Sequence, residues 1–241
     1  NQIEDSLCEE LDSLSESYGA KYEYKEYRLN GQGDASVLNQ MTAQLIADDV
    51  DVIVPIATPA IQVVQSQTEG KNIPIVFSAA SDPVSAKLVD SMEKPGGNIT
   101  GTSDFLNTDA IMDLIFAQNP DAKKIGLLYS KSEDSSQQPI AAAKKYLADK
   151  GVEVVEKTGT TTDEVSQAVD ALIAEKVDAI FTPTDNTIQK AELSFYEKLI
   201  KAKIPHYGGA DSFALNGAFA GYGVDYVQLG KATADMVDEV L

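Results

Sequence analysis

Two short segments contain the residues best suited to bind a charged ligand. In the first, Thr58 and Pro59 are predicted to open a helix that continues through Ala60. A threonine hydroxyl and the free N–H groups of a first helical turn favour an anion such as a carboxylate. In the second, Asp185 and Asn186 supply a carboxylate and an amide, which suit an ammonium group. The two segments together indicate a zwitterion, although Thr58 or Asp185 alone is as consistent with an ordinary helix cap.

Both segments belong to a repeated sequence. LIADDVDVIVPIATPAIQ, residues 45–62, aligns without a gap to LIAEKVDAIFTPTDNTIQ, residues 172–189, at an offset of 127 residues (172 minus 45). The same offset moves the predicted strand 152–156 onto 25–29, inside another predicted strand, so a whole α/β lobe is repeated. Subtracting the offset from the predicted strand 125–129 gives positions −2 to 2, which lie mostly before the first residue. We therefore expect the opening strand of the first lobe to be absent from this chain.

Short apolar runs alternate with longer segments of helical period along the chain. Strands are predicted at 22–28, 51–56, 74–78, 125–129, 152–156, 178–183, 206–208 and 218–222. Helices are predicted at 3–18, 35–47, 59–67, 84–92, 109–118, 136–149, 163–174, 188–202 and 227–240. This alternation is typical of α/β folds with parallel sheets. We predict two similar doubly wound parallel-sheet lobes, one formed by 1–103 and 212–241 and the other by 104–211, with a ligand cleft between them.

In open parallel sheets, ligands bind beyond the carboxyl ends of the strands, which adds further candidates. Ser78, Ala79 and Ala80 follow a predicted strand and are expected to face the same cleft as the first segment. Tyr129 ends another strand, where it either lies over a ligand side chain or packs in the core. Asp211 follows a short strand and either pairs with a ligand amine or caps the next helix. The glycines of PGGNITGTSDF, which separates the repeats, indicate a hinge rather than a phosphate site.

The composition limits the classes of function. The chain has 241 residues, of which 38 are acidic and 19 basic, and its formal charge of −19 opposes binding to nucleic acid or to an anionic membrane. The single Cys8 excludes an internal disulfide, and with the single His206 it leaves no cluster for a metal, so we expect neither metal nor organic cofactor. An enzyme would need an activated nucleophile or a base pair. Cys8 has no histidine partner in the sequence and His206 no obvious serine and carboxylate, so we expect no catalysis and a structural role for His206.

PIVFSAASDPVSAKLVDSMEKPGGNITGTSDF, residues 74–105, closely resembles the signature of the ABC-transporter substrate-binding protein family that includes tryptophan- and tyrosine-binding lipoproteins. The segments VDVIVPIATPAIQ, KIGLLYSKSE, VDAIFTPTDNTI, IPHYGGADS and GAFAGYGVDYVQLGKATADM are similar to that family in the same order. The resemblance implies a type I periplasmic-binding-protein fold, an ABC permease as partner and an extracytoplasmic location, either periplasmic or lipid-anchored.

The resemblance also implies that the zwitterion is an L-amino acid, expected to be aromatic. We expect its carboxylate at Thr58 and the loop of residues 78–80, and its ammonium at Asp185, assisted by Asp211. We expect the receptor to be a monomer. A ligand-sensing effector domain of a repressor-like regulator shares the fold, but such proteins carry a helix-turn-helix and a basic patch that this sequence lacks. A binding protein for a solute other than an amino acid is the remaining alternative.

Overall fold

The computed structural model describes residues 2–19 and 21–241. The chain divides into two compact units, the first comprising Asn1–Phe105 and Val224–Leu241 and the second Leu106–Gly223. The sequence-based division assigns 212–223 to the first lobe. In the structure this segment belongs to the second unit, because its strand pairs with a strand of the second sheet.

The helices are α1 (Gln2–Tyr18), α2 (Ala35–Ala47), α3 (Thr58–Thr68), α4 (Thr108–Gln118), α5 (Gln137–Asp149), α6 (Thr162–Ala174), α7 (Asn186–Ala202), α8 (Asp211–Leu215) and α9 (Tyr226–Val240). The strands are β1 (Ile75–Phe77), β2 (Ile99–Gly101), β3 (Lys124–Tyr129), β4 (Glu153–Thr158), β5 (Ala179–Thr182), β6 (His206–Gly208) and β7 (Ala220–Gly221). Short 3₁₀ helices lie at Lys25–Tyr27 and Asp134–Ser136.

The first unit is organised around β1. This strand pairs in parallel with β2, and isolated parallel bridges join Ile53 to Ile75 and Ile56 to Ser78. Successive side chains of β1 point to opposite faces, as strand geometry requires. Ile75 packs in a buried cluster with residues of α3, whereas Val76 packs in a second cluster with residues of α1 and α9. Helices therefore cover both faces of the strand.

The second unit contains a five-stranded sheet in the order β4-β3-β5-β6-β7, and every pairing is parallel. On one face, Ile125 and Leu127 of β3 pack in a buried cluster with residues of α4 and α5. On the other face, an added Cβ at Gly126 would come 3.0 Å from Leu172 of α6. The sheet is therefore wound on both sides, and the predicted α/β class is confirmed.

Two strands predicted in the first unit form differently. The prediction of a strand at 22–28 is wrong, because this segment contains the 3₁₀ helix Lys25–Tyr27. Its aromatic alternation is used for packing, since Tyr22 and Tyr24 contact the cluster of α1 and α9. The segment 51–56 runs beside β1 but makes only the two isolated bridges.

The helix predicted at 84–92 is also wrong. Asp82 starts a turn by accepting a hydrogen bond from Ser85 N at 3.0 Å, and Ala86 N donates to Asp82 O at 3.0 Å. Lys87 then has a φ of 57°, a left-handed conformation that ends the turn. The three-residue strand β2 lies in a segment that we interpreted only as a glycine-rich hinge.

Candidate functional site

The first predicted segment lies at the N-terminus of α3. The residue before the helix is Ala57, whose φ of 73° and ψ of 145° are strained for a residue with a Cβ atom. Its N–H donates to Ser78 O at 3.0 Å, which joins the segment to the end of β1. The expectation that Thr58 precedes the helix is wrong by one position, because Thr58 is the first helical residue and Pro59 the second.

Thr58 has an unused hydroxyl. The residue is only 3% exposed, and its Oγ1 has no hydrogen-bond partner within the described residues. A buried polar group without a partner costs about 1–3 kcal/mol, which a ligand acceptor would recover. In the first turn of α3, Pro59 has no N–H, and the N–H groups of Ala60 and Ile61 donate to Ala57 O at 3.0 and 3.1 Å. The Thr58 hydroxyl, at the positive end of the helix dipole, therefore carries the preference for an anion.

A second strained alanine lies on the neighbouring loop. Ala79 follows β1 with a φ of 58°, and the next residue, Ala80, donates its N–H to Thr102 O at 3.3 Å. Strained residues outside glycine persist where the surrounding structure fixes them, and they concentrate at ligand sites. The Ala57 to Ser78 hydrogen bond brings the two strained residues side by side.

The hydroxyl of Ser78 points into the first unit. It lies 3.3 Å from Thr102 Oγ1 and 2.9 Å from Thr233 Oγ1, and those two oxygens are themselves 2.9 Å apart. Ser78 and Thr233 are completely buried. This cluster fixes the end of β1 against α9. The structure therefore differs from the prediction of a ligand-facing Ser78 hydroxyl.

A buried carboxylate supports the same loop. Asp104 accepts hydrogen bonds from Ser81 Oγ at 2.9 Å and from Tyr226 OH at 3.2 Å. Burial raises the pKa of Asp104, although both hydrogen bonds act in the opposite direction. The carboxylate ties the loop after β1 to the start of α9.

In the second unit, Asp185 precedes α7 and is 1% exposed. Its Oδ1 accepts from Ile188 N at 2.9 Å, and its Oδ2 accepts from Ser130 N and from Ser136 Oγ, each at 2.7 Å. Burial raises the pKa of Asp185 to about 6 despite these donors. Because three protein donors already engage the carboxylate, the structure does not favour the predicted contact of Asp185 with a ligand ammonium.

Two other predicted positions are engaged by neighbouring carboxylates. Asn186 Nδ2 and Thr187 Oγ1 donate to Glu133, each at 3.1 Å. Tyr129 donates to Glu156 Oε2 at 2.9 Å, and its ring belongs to the buried core. Burial raises the pKa of the Tyr129 hydroxyl to about 12. The packing alternative for Tyr129 therefore fits the structure better than stacking on a ligand.

Asp211 is the first residue of α8. Its Oδ1 is buried and has no hydrogen-bond partner in the described part of the chain. The loop that carries it is tightly packed, since an added Cβ at Gly221 would come 2.9 Å from Asp211 Cα. Asp211 thus combines a fixed backbone with an unsatisfied carboxylate oxygen.

Four buried side-chain oxygens lack a partner within residues 2–19 and 21–241. They are Thr58 Oγ1, Thr108 Oγ1, Glu192 Oε2 and Asp211 Oδ1. Thr58 and Asp211 are among the positions predicted from the sequence to contact a ligand.

His206 has partners that the sequence did not reveal. Its Nδ1 lies 3.0 Å from Glu192 Oε1, and its Nε2 lies 2.9 Å from Thr182 Oγ1. The sequence offered no obvious serine and carboxylate for His206, and the structure places a carboxylate and a threonine hydroxyl beside it. All three side chains are buried, which agrees with a structural role for the histidine.

Sequence reasoning missed Ala57, Thr102, Asp104 and Thr233. The positive φ of Ala57 could not be predicted, because alanine rarely adopts that conformation. Thr233 lies within the predicted helix 227–240, where a lone threonine carries no signal of a contact with Ser78, 155 positions away. Asp104 lies in the glycine-rich segment PGGNITGTSDF. Nothing in that sequence indicates that its carboxylate is buried.

The described residues contain no group of three or more histidine, cysteine, aspartate or glutamate side chains arranged to hold a metal ion. Among the same residues, no helix has both the length and the apolar character needed to cross a bilayer.

The chain is similar to several known proteins. A curated tyrosine-binding protein of Clostridioides difficile is 37% identical over 212 residues, which cover 88% of this chain and 61% of the relative. The match thus spans less than two thirds of that relative's length.

Solved structures extend the likeness over the whole chain. A Streptococcus pneumonia ABC domain in complex with L-Trp has a TM-score of 0.89 at 34% identity, covering 99% of this chain and 79% of its own. A substrate-binding protein with adhesive properties from Clostridium difficile has a TM-score of 0.68 at 32% identity, covering 100% and 81%. The family model of the ABC transporter substrate binding protein matches residues 5–241. This chain therefore belongs to the ABC transporter substrate binding protein family.

Proposed function

We propose that this chain binds an aromatic L-amino acid as the extracytoplasmic receptor of an ABC importer. The observation that carries the proposal is the pair of unsatisfied buried oxygens, Thr58 Oγ1 in the first unit and Asp211 Oδ1 in the second. Each lies at a position where the sequence predicts a ligand contact, and their chemistry matches a carboxylate and an ammonium group respectively.

The carboxylate is assigned to the first unit. Thr58 donates its hydroxyl proton, and the N-terminus of α3 adds the positive end of the helix dipole. The strained conformations of Ala57 and Ala79 orient the neighbouring backbone toward the ligand. Pro59 and Ala60 complete the turn, while Ser78 supports the loop through its contacts with Thr102 and Thr233.

The ammonium group is assigned to Asp211 rather than to Asp185. Asp211 keeps a carboxylate oxygen without a partner, whereas both oxygens of Asp185 already accept hydrogen bonds, from three protein donors in all. A charge-assisted hydrogen bond from an ammonium group would satisfy the buried Asp211 oxygen. Asp185 and Asn186 then act indirectly, by fixing the loop at the start of α7.

An aromatic side chain is supported by the relatives and by two exposed rings. One relative is named for tyrosine and one structure is a complex with L-Trp. Phe105 and Tyr222 are exposed, whereas Phe213 and Tyr129 are buried in the second unit. Of these four rings, we assign the contact with an aromatic ligand to Phe105 and Tyr222, because their side chains are exposed.

The importer role follows from the family. Its substrate-binding members deliver a small molecule to a membrane permease outside the cytoplasm, and we extend this role to the present chain as a monomer, either free or lipid-anchored. A repressor effector domain is less consistent with the comparisons. The similarity to the Lactococcus lactis regulator CcpA is 12% identity with a TM-score of 0.67, which shows a shared fold alone.

Fluorescence offers a direct test of the ligand class. The chain has ten tyrosines and no tryptophan, so bound L-tryptophan would be its only indole. Excitation of tyrosine should produce saturable indole emission as L-tryptophan is added, and unlabelled L-tyrosine should compete. D-tryptophan serves as the control, because inversion at Cα separates the two charged groups from their partners. Identical weak emission with both enantiomers would reject an amino acid receptor.

A further inference from the structure

A cavity of about 530 Å³ lies within the second unit, at the amino end of β6. Asp211 follows the carboxyl end of the same strand, so the cavity occupies the opposite edge of the sheet. Its volume falls within the range of about 300–1,000 Å³ that is usual for small-molecule sites. Its lining shares no residue with the positions assigned to the amino acid.

The cavity is bordered by a buried acidic group that lacks one hydrogen bond. Glu192 lines it together with His206, and the pair is joined through Glu192 Oε1 and His206 Nδ1 at 3.0 Å. The other carboxylate oxygen, Oε2, is buried without a partner among the described residues. An unsatisfied buried acceptor of this kind favours any ligand that brings a donor.

The remaining walls are largely apolar, and their polar side chains are those of Gln118, Asn119 and Lys203. Tyr196, Leu199 and Ile200 of α7 line one side, and Phe219 lies before β7 on another. The Phe219 ring makes an edge contact with Tyr207, with centroids 5.4 Å apart. Phe219 is nevertheless 59% exposed, so its ring has a free surface that an aromatic ligand could cover.

We propose that this cavity is a second ligand site, specific for a small aromatic molecule that carries an amine or a phenolic hydroxyl and no carboxylate. The donor group would hydrogen-bond Glu192 Oε2, and the ring would pack against Tyr196 and Phe219. A carboxylate on the ligand would be opposed by the buried Glu192 carboxylate. Lys203 also lines the cavity, but its side chain is exposed, so solvent and salt screen its attraction for an anion more strongly. This proposal does not depend on the identity of the amino acid bound elsewhere in the protein.

The test is a titration of the whole chain, labelled with ¹⁵N, with benzylamine, phenol and benzoate. Saturating L-tryptophan is present throughout, which blocks the proposed amino acid site. Benzylamine and phenol should shift the amide signals of Tyr196, Gly217 and Phe219 in a saturable manner, whereas benzoate should not. Absence of saturable shifts at these residues, or equal binding of benzoate, would overturn the proposal.

Variants separate a specific site from weak surface adsorption. Phe219→Ala should weaken benzylamine binding by about fivefold or more, since an aromatic wall is lost. Leu193→Ala is the matched control, because Leu193 is 68% exposed on the same helix and does not line the cavity. Equal affinities of the Phe219→Ala and Leu193→Ala proteins would contradict the proposal.

Glu192→Gln tests the hydrogen bond itself. The amide replaces one carboxylate oxygen with a donor, so affinity for benzylamine should fall by roughly tenfold. Glu192 also contacts His206, so the substitution could disturb the fold. The binding result for Glu192→Gln therefore counts only if the variant unfolds at about the same temperature as the wild-type protein. If it fails to fold, the Phe219→Ala and Leu193→Ala pair still decides the question.

Discussion

Ala57 holds a backbone conformation that an alanine adopts only under constraint. Its φ of 73° with ψ of 145° lies in a region populated mainly by glycine. Such strain costs on the order of 1–3 kcal/mol and persists because the surrounding contacts fix it. We interpret this strain as the cost of presenting the first turn of α3 to a ligand.

Replacing Ala57 by glycine should therefore stabilise the free protein. We expect Ala57→Gly to raise the free energy of unfolding by about 1 kcal/mol in urea denaturation, and to weaken L-tryptophan binding because the loop becomes less ordered. Ala60→Gly, within the same helical turn, provides the control and should lose roughly 0.5–1 kcal/mol. A loss of similar size at both positions would show that Ala57 is not strained.

Asp185 should make stability depend on pH. Burial raises its pKa to about 6, above the value of about 4 expected in the unfolded chain. The folded state then binds the proton more tightly, so stability is greatest below pH 4 and falls as pH rises toward 6. Relative to Asp185→Asn, the wild-type protein should lose about 2–3 kcal/mol between pH 4 and pH 6.5 in denaturant titrations. Parallel stability curves for the two proteins would contradict this.

At this scale the sequence predicts residue types better than residue roles. Thr58 and Asp211 could be selected because strand ends and helix starts are visible in the sequence. The partners of Ser78 and Asp185 could not, since Thr233 is 155 positions and Ser130 is 55 positions away. A polar side chain near a predicted cleft is available to ligand only if no distant donor or acceptor has already engaged it.

Among the elements of the first unit, α1 and α9 pack at very close range. A Cβ atom added at Gly230 of α9 would come 2.4 Å from Ile3 O and 2.1 Å from Ser6 Oγ. Glycine is thus required by the approach of the two helices and not by local backbone conformation.

The sign of a Gly230→Ala substitution tests this packing. Within an isolated helix, alanine is more favourable than glycine by about 1 kcal/mol. We expect the opposite here, a loss of about 1–3 kcal/mol measured by chemical denaturation, because the methyl group would force the helices apart. Ala232→Gly, on the exposed side of α9, is the control. It measures how much the difference in helix propensity between alanine and glycine contributes to stability in this helix. A gain in stability for Gly230→Ala would refute close helix contact.

Long periodic elements were predictable, whereas short ones were predicted unevenly: strand β6 has the predicted bounds 206–208, but β2 was missed. The bounds of α2 agree with the predicted 35–47, since its apolar spacing and the cap at Asp34 define both ends. The helix predicted at 84–92 does not form, because Lys87 adopts a left-handed conformation. A lysine in the sequence gives no indication of that conformation. Strand β2 has three residues and exists through pairing with β1, so no local pattern indicates it.

Across the whole molecule, the sequence repeat corresponds to a structural repeat. In the second unit, residues 172–189 run from α6 through β5 into α7. In the first, residues 45–62 run from α2 through the bridges at Ile53 and Ile56 into α3. Each copy ends beyond its strand at a polar segment. The first copy supplies Thr58, which we assign to the ligand, whereas the second supplies Asp185, whose carboxylate accepts hydrogen bonds from its own unit. The duplicated element thus gives the two units a common scaffold, and its polar segments have diverged in role.

The central claim is that Thr58 binds the ligand carboxylate and Asp211 its ammonium group. Isothermal titration with L-tryptophan, tryptamine and indole-3-propionate tests both assignments, because each analogue lacks one charged group. Thr58→Ser retains the hydroxyl and is the control for Thr58→Val.

Asp211→Asn should weaken L-tryptophan binding by roughly 30-fold or more, since loss of a buried charged partner costs about 2–5 kcal/mol. Its affinity for indole-3-propionate, which has no ammonium group, should stay within about twofold of wild type, as loss of a partner that is not used costs nothing. Thr58→Val should weaken L-tryptophan binding about tenfold and leave tryptamine binding unchanged. Wild-type affinity of Asp211→Asn for L-tryptophan, or equal losses for all three ligands, would contradict the account.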